Sequence, residues 1–231
     1  RIQHPGIVSV FDSGELDDGS AFLVMERLSG MDLAALVGRY GMGRLDQVAS
    51  VARQAGAALS AAHRAGIIHR DIKPENLFLC PRPGGFVLKI LDFGLARSVT
   101  LADGLTQTGM VVGTPWYLSP EQVRGEPATQ KSDLCSLAIT LWEALAGIRA
   151  VKSEVLSEIY MEIIGGAIPA LSLLREGIGP EIDEWFRGAL AKEAAQRPGD
   201  AELWAPTLAE HLEGVSDTEL EMELRRDARR Y

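Results

Sequence analysis

The chain has 231 residues, 46% of them hydrophobic and 24% charged, ordinary values for one globular unit able to bury roughly 70–75% of its unfolded surface. Its formal charge of −9 argues against a dedicated nucleic-acid binder, which carries a basic face. Two cysteines without metal-ligand spacing, Cys80 and Cys135, point away from a disulfide framework and towards a reducing cytosol, and the longest apolar stretch, Leu134 to Ile148, carries Glu143 and falls short of the ~20 residues of a membrane span.

In chain order, Ile7 to Phe11 and Ala21 to Met25 read as two short strands joined by a polar turn from Ser13 to Ser20. Leu33 to Tyr40 reads as a short helix stopped by Gly41-Met42-Gly43. Leu45 to Ala65 is a long, alanine-rich helix with Val48, Val51, Ala55, Leu59 and Ala62 near helical spacing, and Gly66 sits where a left-handed cap is expected. Near the end of that helix, His63 reads as a residue placed by the helix dipole, with no partner indicated. Ile67-Ile68 is expected to form a brief buried strand, and Phe86 to Leu91 another, with Gly94 turning the chain afterwards. From Arg97 to Val112 the sequence is polar, with glycines and threonines, and reads as a loop. Leu134 to Ala146, Glu154 to Ile164 and Pro180 to Leu190 read as helices, and Ser216 to Arg230 as a charged helix with acids first and arginines last.

Two polar stretches carry chemistry. His69-Arg70-Asp71-Ile72-Lys73-Pro74-Glu75-Asn76 packs a proton acceptor (Asp71), a cation (Lys73) and a metal-ligating amide (Asn76) into eight residues. Their spacing is not that of a helical stripe, so a loop is expected, stiffened at Pro74. Asp92, in Leu91-Asp92-Phe93-Gly94, is delivered at the end of a strand. If the two loops converge, Asp92 and Asn76 form an oxygen-ligand pair of the kind magnesium accepts when phosphates complete its shell. Either stretch alone would be an ordinary turn.

These motifs, followed by Gly113-Thr114-Pro115-Trp116-Tyr117-Leu118-Ser119-Pro120-Glu121, resemble the catalytic, metal-binding and activation-segment motifs of eukaryotic-type protein kinases. Thr106-Gln107-Thr108 and Leu118-Ser119-Pro120-Glu121-Gln122 most resemble the bacterial serine/threonine branch, and the likeness runs from the first residues to about Arg197. The resemblance implies an α+β, protein-kinase-like fold: a mainly helical C-terminal lobe over residues 29–214, a remnant of the N-terminal β lobe over 1–28, and a charged tail over 215–231. It implies ATP and Mg²⁺ (or Mn²⁺) as cofactors, a protein substrate with serine or threonine, and dimerisation for autophosphorylation. No nucleic-acid partner and no membrane segment in this chain are expected. The expected location is the cytoplasm, with an anchor beyond Tyr231 left open.

Residue by residue, the resemblance makes Asp71 the group that orients the acceptor hydroxyl and takes its proton. Lys73 would sit beside the transferring phosphate, and Asn76 and Asp92 on the metal. Met25 matches the gatekeeper beside the nucleotide, the backbone of Glu26 and Leu28 the adenine contacts, Asp32 the ribose contact and Leu77 the floor of the pocket. Met25 and Leu77 are equally well explained as core residues, and Asp32 as part of a helix start. Thr114 matches the residue bridging Asp71 and Lys73 at the substrate site. Arg70 matches the cation that reads a phosphorylated loop, with Thr106 and Thr108 the candidate phosphorylation sites. Glu121 and Arg197 match a buried structural pair. Asp133 matches the residue that anchors the catalytic loop, although Cys135 stands where that pattern has tryptophan. The sequence shows no glycine-rich phosphate loop and no Val-Ala-Ile-Lys lysine. The expectation is therefore a serine/threonine kinase domain cut inside its first lobe, with weak or no activity by itself; a pseudokinase or non-catalytic interaction module is the competing reading.

Overall fold

The structure, a computed structural model, describes residues 2–93 and 114–213. Its elements run β1 (Val10–Glu15), β2 (Ala21–Met25), β3 (Met31–Asp32), α1 (Leu33–Tyr40), α2 (Leu45–Arg64), β4 (Leu77–Arg82), β5 (Gly85–Ile90), α3 (Pro120–Val123), α4 (Gln130–Ala146), α5 (Leu156–Gly165), α6 (Pro180–Ala189) and α7 (Ala201–Glu213). Strands β1 and β2 form an antiparallel hairpin, and β3, β4 and β5 an antiparallel sheet in that order. Helix outweighs strand, as the α+β kinase-like expectation requires.

Helix α4 forms the centre. All but its first two residues are buried, including Leu134, Leu137, Leu141, Trp142 and Leu145. A helix that is apolar on every side belongs inside a protein. The capping box of Thr129 and Ser132 starts it, and Gly147, with φ 69°, ends it in the left-handed conformation glycine adopts without a Cβ clash. Helix α2 buries the Val48, Val51, Ala55, Leu59 and Ala62 stripe read from the sequence. It packs closely on α7, where Gly56 lets the helices approach; a Cβ there would lie 2.6 Å from Ala205 Cβ and 2.7 Å from the Ala201 carbonyl oxygen.

Several sequence expectations need correction. The first strand starts at Val10 and reaches Glu15; Gly6 and Val8 are instead bonded to both sides of Ile90 (Ile90 N to Gly6 O 2.8 Å, Val8 N to Ile90 O 3.0 Å). Ile67 and Ile68 form no strand, because their segment is held by the end of α2, with the Ile67 amide on the Ala62 carbonyl at 3.0 Å. Strand β4 and helix α7 were not anticipated, and α4 starts at Gln130, which puts Asp133 inside its first turn. The Arg97–Val112 loop and the Ser216–Arg230 helix lie outside the described residues, as do Thr106 and Thr108.

Candidate active site

The loop from His69 to Asn76 is held from below by one carboxylate. Asp133, on α4 and almost wholly buried, accepts the His69 amide (2.8 Å) through Oδ2 and the Arg70 amide (2.8 Å) through Oδ1. Its Oδ2 also accepts from His63 Nε2 at 2.8 Å. His63 therefore has a partner after all, and the signal was present in the sequence: it shares a helix face with Leu59 and Ala62, and a buried imidazole needs a hydrogen bond. Arg70 adopts φ 73°, an uncommon conformation for a residue with a Cβ. Bonds on both of its sides hold it there, the Asp133 carboxylate on its amide and Gln122 Nε2 donating to its carbonyl at 3.0 Å.

His69 links this loop to the second one. Its Nε2–H donates to the Leu91 carbonyl (2.7 Å), its Nδ1 accepts the Asp71 amide (3.2 Å), and its ring meets Phe93 edge-on at 4.6 Å. These partners fix the tautomer with the proton on Nε2. Burial pushes the pKa of His69 below its usual value, outweighing the pull of Asp133, so the ring serves as a neutral brace. The Leu91 amide donates to the Asn76 carbonyl at 2.9 Å. Asp92, between Leu91 and Phe93, is thereby brought beside the Asp71–Asn76 loop at the end of β5. It takes φ 57°, a left-handed conformation that aspartate tolerates better than most residues, and it is exposed.

Above this frame lie the polar groups. Lys73 Nζ pairs with Asp71 Oδ2 at 2.8 Å and donates to Thr114 Oγ1 at 3.2 Å. Asn76 Nδ2 donates to the Asp71 carbonyl (2.7 Å) and to Asp71 Oδ2 (3.1 Å). Two cationic or amide donors thus occupy one oxygen of Asp71, while Oδ1 makes no hydrogen bond among the described residues. Engagement of Nδ2 by Asp71 leaves the amide oxygen of Asn76 without a hydrogen bond among the described residues. Amide and carboxylate oxygens, such as those of Asn76 and Asp92, are the hard donors that an ion such as Mg²⁺ takes one or two of before completing its shell with phosphate and water. No cluster of three or more His, Cys, Asp or Glu side chains exists among the described residues, so an all-protein metal cage is not present there.

The predicted nucleotide edge is less uniform. Met25 ends β2 and is exposed, so it is not the core residue the strand pattern allowed, because its hairpin is covered by no other described element on that side. Among the described residues neither the Glu26 carbonyl nor the Leu28 amide makes a hydrogen bond. The Glu26 side chain has a separate role: its carboxylate pairs with Lys89 (2.6 Å) and accepts the Ser9 amide (2.8 Å). The Lys89 bond outweighs burial and holds the Glu26 pKa below its usual value. Asp32 caps α1, with Oδ1 accepting the Ala35 amide at 2.7 Å. Leu77, the first residue of β4, is completely covered and belongs to the main core.

On the acceptor side, Thr114 leads through a turn at Pro115–Tyr117 into α3. Trp116 lies under the Arg149 guanidinium at 4.2 Å, and Tyr117 donates to Glu143 at 2.7 Å. Burial raises the Glu143 pKa despite the bonds from Tyr117 and the Ala150 amide. Below, Arg197 makes a two-pronged pair with Glu121 at 2.8 and 2.7 Å, with Ser132 as a third donor at 2.6 Å. Burial alone would raise the Glu121 pKa; the Arg197 and Ser132 bonds overcome it and bring the carboxyl down to about 2.

Comparison with known proteins agrees with this arrangement. The protein kinase domain family matches residues 1–205. The serine/threonine-protein kinase pkn3 of Myxococcus xanthus is 36% identical over 215 residues, covering 90% of this chain and 39% of the relative. PknL of Mycobacterium tuberculosis is 36% identical over 201 residues, 87% of this chain and 49% of the relative. The chain thus spans less than half the length of these curated relatives. The crystal structure of the Mycobacterium tuberculosis PknI kinase domain superposes with a TM-score of 0.71 at 26% identity, covering 91% of this chain and 74% of that one. The chain belongs to the protein kinase family, among the eukaryotic-type serine/threonine kinases of bacteria.

Proposed function

We propose that the protein containing this chain transfers the γ-phosphoryl group of ATP to a serine or threonine hydroxyl of a protein substrate. The observation that carries this reading is the Asp71 carboxylate, with one oxygen fixed by Lys73 and Asn76 and the other left open beside Thr114. Asp71 Oδ1 accepts the proton of the substrate hydroxyl as its oxygen attacks the γ-phosphorus. The new bond forms at that oxygen, the bond from phosphorus to the bridging oxygen breaks, and ADP leaves with the electron pair. Lys73 Nζ faces the negative charge spread over the equatorial oxygens, and Thr114 keeps that ammonium in place. Asn76 and Asp92 would hold Mg²⁺, which supplies charge neutralisation on the phosphates. Asp32, the Glu26 carbonyl and the Leu28 amide are the polar groups suited to the nucleoside, with Met25 at its edge.

The test uses the full protein with magnesium ATP and a serine- and threonine-containing protein substrate. Phosphoserine or phosphothreonine is expected. Asp71→Asn should lower kcat about 10²–10⁴-fold, the usual scale for a positioned base, and Asp92→Ala should abolish turnover. Unchanged rates in Asp71→Asn would overturn the assignment. Absence of phosphotransfer in the unaltered protein would favour a non-catalytic interaction module.

A further inference from the structure

A cavity of about 50 Å³ lies away from the catalytic loop, between α4, α5 and the segment after α6, with Cys135, Ile139, Ile163, Ile168, Leu190 and Lys192 among its walls. One of its walls is Cys135, at the position where the family pattern has tryptophan. Cys135 is buried, and burial pushes its thiol up to about 11, so it is a neutral, unreactive wall. Apart from the rim, where Glu162 and Lys192 lie, the lining is almost entirely apolar.

Lys192 gives the cavity its polarity. The ammonium is half-buried, and Nζ donates to the Ile163 carbonyl at 2.7 Å. An ammonium has three donors, and among the described residues no carboxylate lies within ion-pair distance of this one. The nearby Glu121 is fully engaged by Arg197 and Ser132, and Glu162 on the rim accepts the Lys152 amide at 2.9 Å. A partly desolvated cation facing an apolar cavity without a counter-ion is costly unless an anion joins it. By the roughly 10–15 Å³ that a water-sized group needs, the cavity holds about three to five such groups, the length of a short carbon chain.

We propose that this is a binding site for a short-chain carboxylate. The chain lies against Cys135 among Ile139, Ile163 and Leu190, and the carboxylate pairs with the Lys192 ammonium. A small apolar body with one anionic head suits a mostly apolar pocket in which Lys192 supplies the cation, while the carboxylate of Glu162, on the same lining, is engaged by the Lys152 amide. The site also touches Leu118 and Pro120, at the start of α3, within a few residues of Thr114.

The experiment titrates the full protein with butyrate, and with 1-butanol and butylamine as neutral and cationic controls, following thermal stability and the ¹³C-methyl resonances of Ile139 and Ile163. Butyrate should raise the melting temperature and shift both methyl signals saturably, butanol should do so more weakly, and butylamine should do neither. Lys192→Met should weaken butyrate about tenfold, the scale of one charge-assisted hydrogen bond, and leave butanol unchanged. Cys135→Trp should fill the cavity and abolish both responses. Because that substitution can disturb folding, the methyl titration of the unaltered protein decides by itself. Flat Ile139 and Ile163 signals, or equal affinity for butyrate and butylamine, would overturn the proposal. Butyrate affinity unchanged in Lys192→Met would also overturn it.

Discussion

The most exacting test of the site's construction is Asp133. Its carboxylate accepts three N–H groups at 2.8 Å each, from His63, His69 and Arg70, with almost no exposed surface. Asp133→Ala strands three buried donors, each costing about 1–3 kcal/mol. With partial relaxation and water entry a loss of roughly 3–6 kcal/mol follows, a large share of the ~5–15 kcal/mol that holds a domain together. Asp133→Asn is milder. With the amide oxygen in the Oδ2 position, His63 and His69 stay bonded, but the new NH₂ faces the Arg70 amide, donor against donor. With the oxygen in the Oδ1 position, Arg70 stays bonded and the His69 amide is opposed. That second orientation also opposes His63, which shares Oδ2, so the first is preferred and one bond is lost, for about 1–3 kcal/mol, or a fall in melting temperature of roughly 2–12 °C at ~2–4 °C per kcal/mol. Urea denaturation of the two variants measures both values, and kcat should fall in Asp133→Asn because Arg70 and Asp71 move together. Stability within ~0.5 kcal/mol of the unaltered protein in both variants would refute the claim that this carboxylate holds the loop.

Other outcomes follow from the same structure. Gly56→Val should cost about 2–3 kcal/mol by forcing α2 and α7 apart, while Gly38→Ala, in α1 with nothing within 4 Å of the new Cβ, should gain ~0.5–1 kcal/mol; thermal unfolding of the pair checks the contrast. The Glu121 pKa is depressed from its ordinary 4.5 to about 2, so its contribution to stability is fully present above 4.5 and is lost as pH falls towards 2. The stability gap between the unaltered protein and Glu121→Gln, measured by denaturation at stepped pH, should therefore be constant above pH 5 and shrink below it. Thr114→Val removes one of the two partners of Lys73 and should lower kcat about tenfold, with the KM for ATP nearly unchanged in steady-state assays. Mass spectrometry of protein incubated with ATP should find phosphate on Thr106 or Thr108, and loss of its activating effect in Arg70→Ala.

Most of the helices were legible from an apolar face or a wholly apolar surface. Leu33 to Tyr40 was read with the bounds the structure gives it, and the buried stripe of α2 from Val48 to Ala62 was read residue by residue. Strand β4 was not, because Pro81 looks like a breaker. It is tolerated because β3 pairs only with Phe78 and Leu79 of β4, so the edge beside Pro81 has no ladder bond to lose. Helix α7 was hidden by Pro206 in its interior. In the site, the dense polar motif singled out Asp71, Lys73 and Asn76, which the structure brings into mutual contact, because residue type and short spacing lie within one stretch of sequence. The Asp133–His63 bond joins residues 70 positions apart, and no local pattern records which distant partner a buried imidazole finds. The Glu26–Lys89 pair escaped for the same reason, being made by tertiary proximity alone.

The support beneath His69 and Arg70 comes from α4, the most deeply buried of the described helices, and not from any surface element. Under the proposed mechanism the base is set as firmly as the interior itself. The adjustable side is then the opposite one, where Thr114 reaches Lys73 through a single hydroxyl, a link that can be made or broken without unsettling the core.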